Sequence, residues 1–317
     1  MIAPYDHEAL WIKAKLFLNR AMDGDGVRSF DEQALWASLA LELLAKAALA
    51  RISPVLIAEP TEEGTNVLAA LGLTKGGGHF SSVRAKTVLT RCSRAFRPFD
   101  LKESSRFTEA RNEYLHGPGV AFLGIPPKVW WPKFWAQVAI LVDNMDKEIS
   151  DLVGSDREAV VDGYLAQNKK NIEDRTEALI ARAQQRLAQH RAGTMTKRML
   201  TEWNSVGDLT AFLSYQAPQQ CPACDQEGLL EGDEELDREL EETVSTGESA
   251  DDGAEFDFDF DYPTFTVTIA ADYFSCPHCH LVLNRYELVE QAGLPTSFEV
   301  EGIEGDTEYD GPDYGND

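Results

Sequence analysis

Over its first 200 residues the chain alternates between apolar stripes at helical spacing and short gaps rich in proline and glycine. Asp6 is placed to cap a helix running to about Met22, with Leu10, Ala14, Phe17 and Leu18 on one apolar face. Ser29-Phe30-Asp31-Glu32 has the pattern of a capping box, and LWASLALELLAKAALARI follows it, apolar nearly all round. Such a helix belongs at the centre of a bundle, with neighbours on several sides. Pro54, Pro60 and Gly64 end it, and residues 72–78 read as a loop. A third helix is predicted over 81–96, and a fourth over 102–116, closed by Gly117-Pro118-Gly119. Pro126-Pro127 opens a fifth, to which Trp130, Trp131, Phe134, Trp135, Val138 and Leu141 give a broad buried face. A long polar helix is expected over 156–192, with Leu179, Ile180, Ala183 and Leu187 on one side, and a short one over 199–213.

The pattern changes after Pro218. Phe265, Val267 and Ile269 alternate with threonines at period two, which predicts a strand. The fold class expected is therefore mainly α. A helical bundle covers residues 1–155 and a helical extension 156–213. A small β-rich unit follows over 214–298, with an acidic insertion at about 225–261 and an acidic tail at 299–317.

Charge sharpens this division. The chain of 317 residues carries a formal net charge of −25. Residues 225–261 hold 17 acidic side chains and one basic one, and residues 299–317 hold 8 acidic and no basic ones. The remainder is near neutral, with 29 acidic against 28 basic side chains, so overall acidity does not exclude a nucleic-acid partner. The opening MIAPYDHEAL lacks a basic region followed by an apolar run, which predicts no signal peptide. Glu42 and Lys46 interrupt the best apolar run, which predicts no membrane span.

Four of the five cysteines form two CPxC pairs, Cys221 with Cys224 and Cys276 with Cys279. Two intervening residues let both sulfurs of a pair face one ion, and two pairs complete a tetrahedron. The arrangement resembles a zinc ribbon, with one structural zinc held by four thiolates and a reducing, cytoplasmic location. His278 and His280 are alternative ligands by residue type, but beside four thiolates they are expected at the surface, and Cys92 is expected as a small buried residue.

The candidate catalytic residues lie at the end of the fourth helix, in Arg111-Asn112-Glu113-Tyr114-Leu115-His116. The spacing of Arg111, the polar Asn112 and His116, together with the upstream Ala/Leu-rich helix, resembles the HEPN superfamily of helical bundles. The resemblance covers about residues 6–150. It implies an endoribonuclease that cleaves RNA without metal, by 2′-OH attack leaving a cyclic phosphate, in a toxin or phage-defence setting. It also implies a homodimer in which two motifs meet. In that chemistry a histidine moves a proton and a guanidinium holds charge on phosphorus. A helix C-terminus favours the charged form of His116, which suits a general acid. Residues five apart are separated by about 140° around a helix. His116 therefore either lies beyond the regular helix or serves a second chain.

Phosphate contacts are expected from Arg84, Lys86, Arg91, Arg94 and Arg97, or from Lys169, Lys170, Arg175, Arg182, Arg186 and Arg191. The GGGH at residues 76–79 reads as a flexible connection. The acid–aromatic alternation at residues 255–262 reads as a strand with a solvated acidic face, or as a nucleic-acid mimic that restrains the enzyme. Some HEPN proteins are non-catalytic, so a second expectation is a scaffold whose ribbon and acidic segments bind a protein partner or trigger, or nucleic acid. A zinc-ribbon DNA-binding regulator is a third, weakened by the lack of a basic segment beside the cysteines.

Overall fold

The computed structural model describes residues 5–23, 28–74, 81–119, 121–240 and 264–304. Among the described residues the chain is mainly helical, with antiparallel sheets in its C-terminal part. It divides into two compact units, 1–171 and 172–317. The boundary falls inside one long helix, which begins at Ser155.

The first unit is a helical bundle. Helix α1 (His7–Met22) is capped by Asp6, whose carboxylate accepts from the amides of Glu8 and Ala9 at 2.9 and 3.0 Å. Helix α2 (Phe30–Ile52) is the centre that its composition predicts. Alanines 34, 37, 40, 45, 47 and 48 are all buried, and small side chains let several helices approach it closely. Ser29 makes no side-chain cap bond, contrary to the capping-box pattern, because its hydroxyl is engaged by Asp31 instead. A 3₁₀ turn and helix α3 (Thr65–Ala70) lead to α4 (Ala85–Ala95), α5 (Leu101–His116) and α6 (Pro127–Asp143), and α2 packs against α1, α4, α5 and α6.

Aromatic packing and buried polar ties fix α5 against α6. Trp130 stacks on Phe134 at 4.9 Å and 12°, and Phe107 of α5 meets Trp130 edge-on at 5.1 Å. Each such aromatic side chain, when fully buried, contributes about 4–6 kcal/mol of area-based stabilisation. Gln137 of α6 accepts from the amide of Asp100 at 2.8 Å and from the Ser104 hydroxyl at 3.3 Å, and Asp100 itself caps α5 through the Glu103 amide. Pro132 sits inside α6 and has no N–H to offer the carbonyl of Lys128. The side chain of Gln167 supplies the missing donor to that carbonyl, at 3.3 Å. Helix α7 (Ile149–Val153) then leads into α8 (Ser155–Arg191).

The second unit begins in the C-terminal part of α8 and continues through α9 (Lys197–Asn204). The predicted short helix thus ends at Asn204, and residues 205–213 carry no helix. The strands are β1 (Tyr215–Gln220), β2 (Glu227–Gly232), β3 (Glu235–Leu240), β4 (Thr264–Ala270), β5 (Tyr273–Ser275), β6 (Val282–Leu283) and β7 (Ser297–Glu304), with α10 (Tyr286–Gln291) between the last two. One antiparallel sheet has the order β1-β2-β5-β6 and the other β3-β4-β7. Gly232 is required at their junction, since a Cβ there would lie 1.9 Å from the carbonyl oxygen of Ala270.

Two expectations about acidic segments are corrected here. Residues 227–240, read as solvated insertion, form β2 and β3, and residues 299–304, read as tail, belong to β7. Backbone pairing across the sheets outweighs the charge of alternate side chains. The GGGH of residues 76–79 and the alternating run at 255–262 lie outside the described residues. No helix among the described residues is long and apolar enough to cross a membrane.

Candidate metal centre and helical polar site

Each CPxC pair occupies the turn of a hairpin. Cys221 and Cys224 lie between β1 and β2, and Cys276 and Cys279 between β5 and β6. Both turns are built alike. The amide of Asp225 bonds the carbonyl of Cys221 at 3.0 Å, as the amide of His280 bonds that of Cys276 at 3.0 Å. Asp225 at φ 58° and His280 at φ 59° hold the same left-handed position, one residue past the second cysteine. Pairing of β2 with β5 brings the two turns together.

The four sulfurs lie within 4.8 Å of one another, with Cys221 to Cys279 and Cys224 to Cys276 both at 3.6 Å. Sulfurs bound to a tetrahedral ion at about 2.3 Å stand about 3.8 Å apart, whereas a disulfide draws them to about 2 Å. The donors therefore fit a metal ion of the zinc type, and all four cysteines are free of disulfides. Contacts from the Cys221 and Cys279 sulfurs hold the Cys276 thiol far below the usual range, while those from Cys221 and Cys276 push Cys279 up. A divalent cation among four such sulfurs takes the place of the shared protons. With four thiolates bound to one ion, no coordination position would be left open.

Of the neighbouring histidines, His278 is exposed as expected, but His280 is not a bystander. Its ring stacks on Trp203 of α9 at 3.9 Å, and Trp203 also stacks on His190 of α8 at 4.9 Å. The metal turn is thereby tied to the helices of its own unit. Glu231, counted in the sequence among solvated acids, is fully buried. Its carboxylate accepts from the amides of Ala211 at 2.9 and 3.0 Å and of Leu213 at 3.3 Å.

In the first unit, Arg111 is buried and its Nη1 meets Oε2 of Glu42 at 2.5 Å. Its Nε and Nη2 both reach Oδ1 of the adjacent Asn112, at 3.2 and 3.0 Å. Glu42 also accepts from Lys46 at 2.8 Å. Burial pushes the Glu42 carboxyl up, but the hydrogen bonds and charges of Lys46 and Arg111 outweigh this and hold it below the usual value. His116 is the last residue of α5, within the regular helix, and is exposed. Arg111 faces the core and His116 faces solvent, so one chain does not bring the two together. Glu113 folds over the turn that follows, accepting from the Gly119 amide at 3.0 Å.

Nearby, Tyr114 donates to Asp31 at 2.8 Å, linking α5 to the start of α2. Arg91, one of the expected phosphate contacts, donates to the carbonyl of Leu56. Cys92 is fully buried, as expected, and burial pushes its thiol up to about 12.

The sequence reading missed Glu42, which it treated only as an interruption of an apolar run. A lone acid four residues before a lysine inside such a run was the available signal, because a charge there needs a partner. Comparison with known proteins returns no match, whether to a family model, a curated protein or a solved structure.

Proposed function

We propose that the chain is a metal-independent endoribonuclease of the HEPN type, acting in the cytoplasm as a toxin or phage-defence effector. The observation that carries this reading is the end of α5. Arg111 and Asn112 are hydrogen-bonded to each other, and His116 stands exposed on the last turn. A guanidinium fixed by Glu42 and Asn112 is oriented before substrate arrives, which favours stabilisation of charge that develops on phosphorus.

In this mechanism the 2′-OH attacks the adjacent phosphorus and the P–O5′ bond breaks. The 2′-OH gives its proton to solvent as the O2′–P bond of the cyclic phosphate forms, and the 5′ oxygen leaves with a proton from His116. Arg111 and His116 diverge around α5, which supports a homodimer in which His116 of one chain completes the site of the other. The metal centre holds the fold of the second unit, where a protein partner or trigger docks.

Cleavage of labelled tRNA and mRNA in magnesium-free buffer tests the reading, with wild type beside His116→Ala. Cyclic-phosphate ends from the wild type alone are expected. Equal cleavage by both proteins removes His116 from the chemistry.

A second reading is favoured by the depth of Arg111. A guanidinium committed to Glu42 is also what a non-catalytic scaffold would use to join α5 to α2. On that reading His116→Ala keeps the biological effect of the wild type.

A further inference from the structure

The second unit contains a polar cleft that the nuclease chemistry does not use. Arg182, Gln185, Arg186 and Gln189 follow the spacing i, i+3, i+4, i+7 and project from one face of α8. With Met199 and Glu202 of α9 they line a cleft of about 290 Å³. Ala183 and Leu187 of the same helix are buried in the core of this unit together with Trp203, so the stripe stands on a fixed support.

The cleft displays more basic groups than its own acid can neutralise. Residues 178–204 contain five basic side chains and one acidic one, in a chain of net charge −25. That acid, Glu202, bonds Arg198 at 3.0 Å and lies 3.9 Å from Arg186. Among the described residues, Arg182 has no ion-pair partner, and Oε1 of Gln189 is buried without a hydrogen-bond donor. A ligand that pairs with Arg182 carries anionic oxygens. The next residue, His190, is exposed and stacks on Trp203, which also stacks on His280. An exposed ring held by such a stack can serve as a platform for a base.

We propose that this cleft binds single-stranded nucleic acid. Arg182 and Arg186 contact phosphodiester oxygens, Gln185 and Gln189 bond sugar hydroxyls or base edges, and a base stacks on His190. An anion site beside a supported aromatic face selects this ligand over a simple anion. The choice of RNA over DNA rests on the ribonuclease reading, whereas the phosphodiester-and-base chemistry does not.

The test uses full-length His116→Ala protein, loaded with zinc, and fluorescence anisotropy of a labelled oligouridine over a series of salt concentrations. In that background Arg182→Gln/Arg186→Gln is expected to lower affinity at least about tenfold. It should also flatten the salt dependence by about 1.4 in log–log slope, at about 0.7 per phosphate contact on a single strand. His190→Ala is expected to lower affinity about tenfold, with little change in that slope. Far-ultraviolet circular dichroism and zinc content confirm that the variants are folded.

Absence of binding overturns the proposal. So does an equal loss in a Lys169→Gln/Lys170→Gln control, which would reduce the effect to general charge, or full competition by inorganic phosphate at matched ionic strength. Cleft-dependent binding with no cleavage by wild type sinks the nuclease reading and supports the cleft. Cleavage together with binding that ignores the cleft variants does the reverse.

Discussion

Asp225 and His280 are structural counterparts, each in a left-handed conformation one residue beyond the second cysteine of its turn. The two tolerate it for different reasons. Asp225 has a short polar side chain, which suits that region, while His280 is held by its stack on Trp203. Asp225→Gly is expected to stabilise the protein by about 1 kcal/mol, because glycine adopts the conformation without a Cβ penalty. His280→Asn keeps a residue tolerant of that conformation but loses the stack, at about 0.5–1.5 kcal/mol. Urea unfolding of the two zinc-loaded variants should move in opposite directions.

The Glu42–Arg111 pair gives stability a dependence on acid. The Glu42 carboxyl is held below its ordinary value of 4.5, so its contribution is complete above that pH and is lost as pH falls through the lower, folded value. Glu42→Gln is expected to cost about 3 kcal/mol or more at neutral pH, since it leaves a buried guanidinium without its counter-ion. The gap between wild type and variant should shrink once the medium is acidic enough to protonate Glu42. Urea titrations at neutral and acid pH check this, and a gap that stays constant would exclude the charge of Glu42 as its source.

Removing metal should separate the two units. Structural zinc sites contribute on the order of 10–16 kcal/mol of binding free energy at neutral pH. Cys276→Ala is expected to abolish stoichiometric zinc and to expose the second unit to protease, while the bundle of residues 1–171 remains resistant. Metal analysis and mass spectrometry of the fragments provide the readout.

Glu231 makes a further prediction inside the second unit. Its carboxylate serves two backbone amides while wholly removed from solvent. Glu231→Gln keeps one acceptor oxygen and is expected to cost about 1–2 kcal/mol. Glu231→Ala leaves those amides without their acceptor and costs about 3 kcal/mol or more. Equal costs for the two variants, measured by denaturant unfolding, would show that the amides find acceptors elsewhere.

Local signals made much of this legible. Asp6 caps the helix it begins, the glycines after His116 end α5, and the paired CPxC spacing names the metal ligands. The metal donors are fixed by chemistry within two short windows, so no long-range knowledge was needed. Of the second sheet only β4 showed as a strand, because its partners β3 and β7 lie far away in sequence and their acidic composition masked them. Glu42 was hidden for a related reason. Its partner Arg111 is 69 residues away, and only the assembled bundle brings the two into contact. The RxxQRxxQ stripe of α8 was visible as a pattern, but its meaning depends on α9 closing the other side of the cleft.

The partnership of β3 with β4 has a consequence for how this chain can change. Leu240 and Phe265 are register partners on neighbouring strands, so the two ends of the intervening segment are held side by side. A connection between ends already held together is open to change in length and charge. Doubling the length of such a connection is expected to cost only about 0.6 kcal/mol of closure entropy while the strands on either side stay paired. A fluorescent domain spliced there would report on the molecule from a position that the sheet already holds shut at its base.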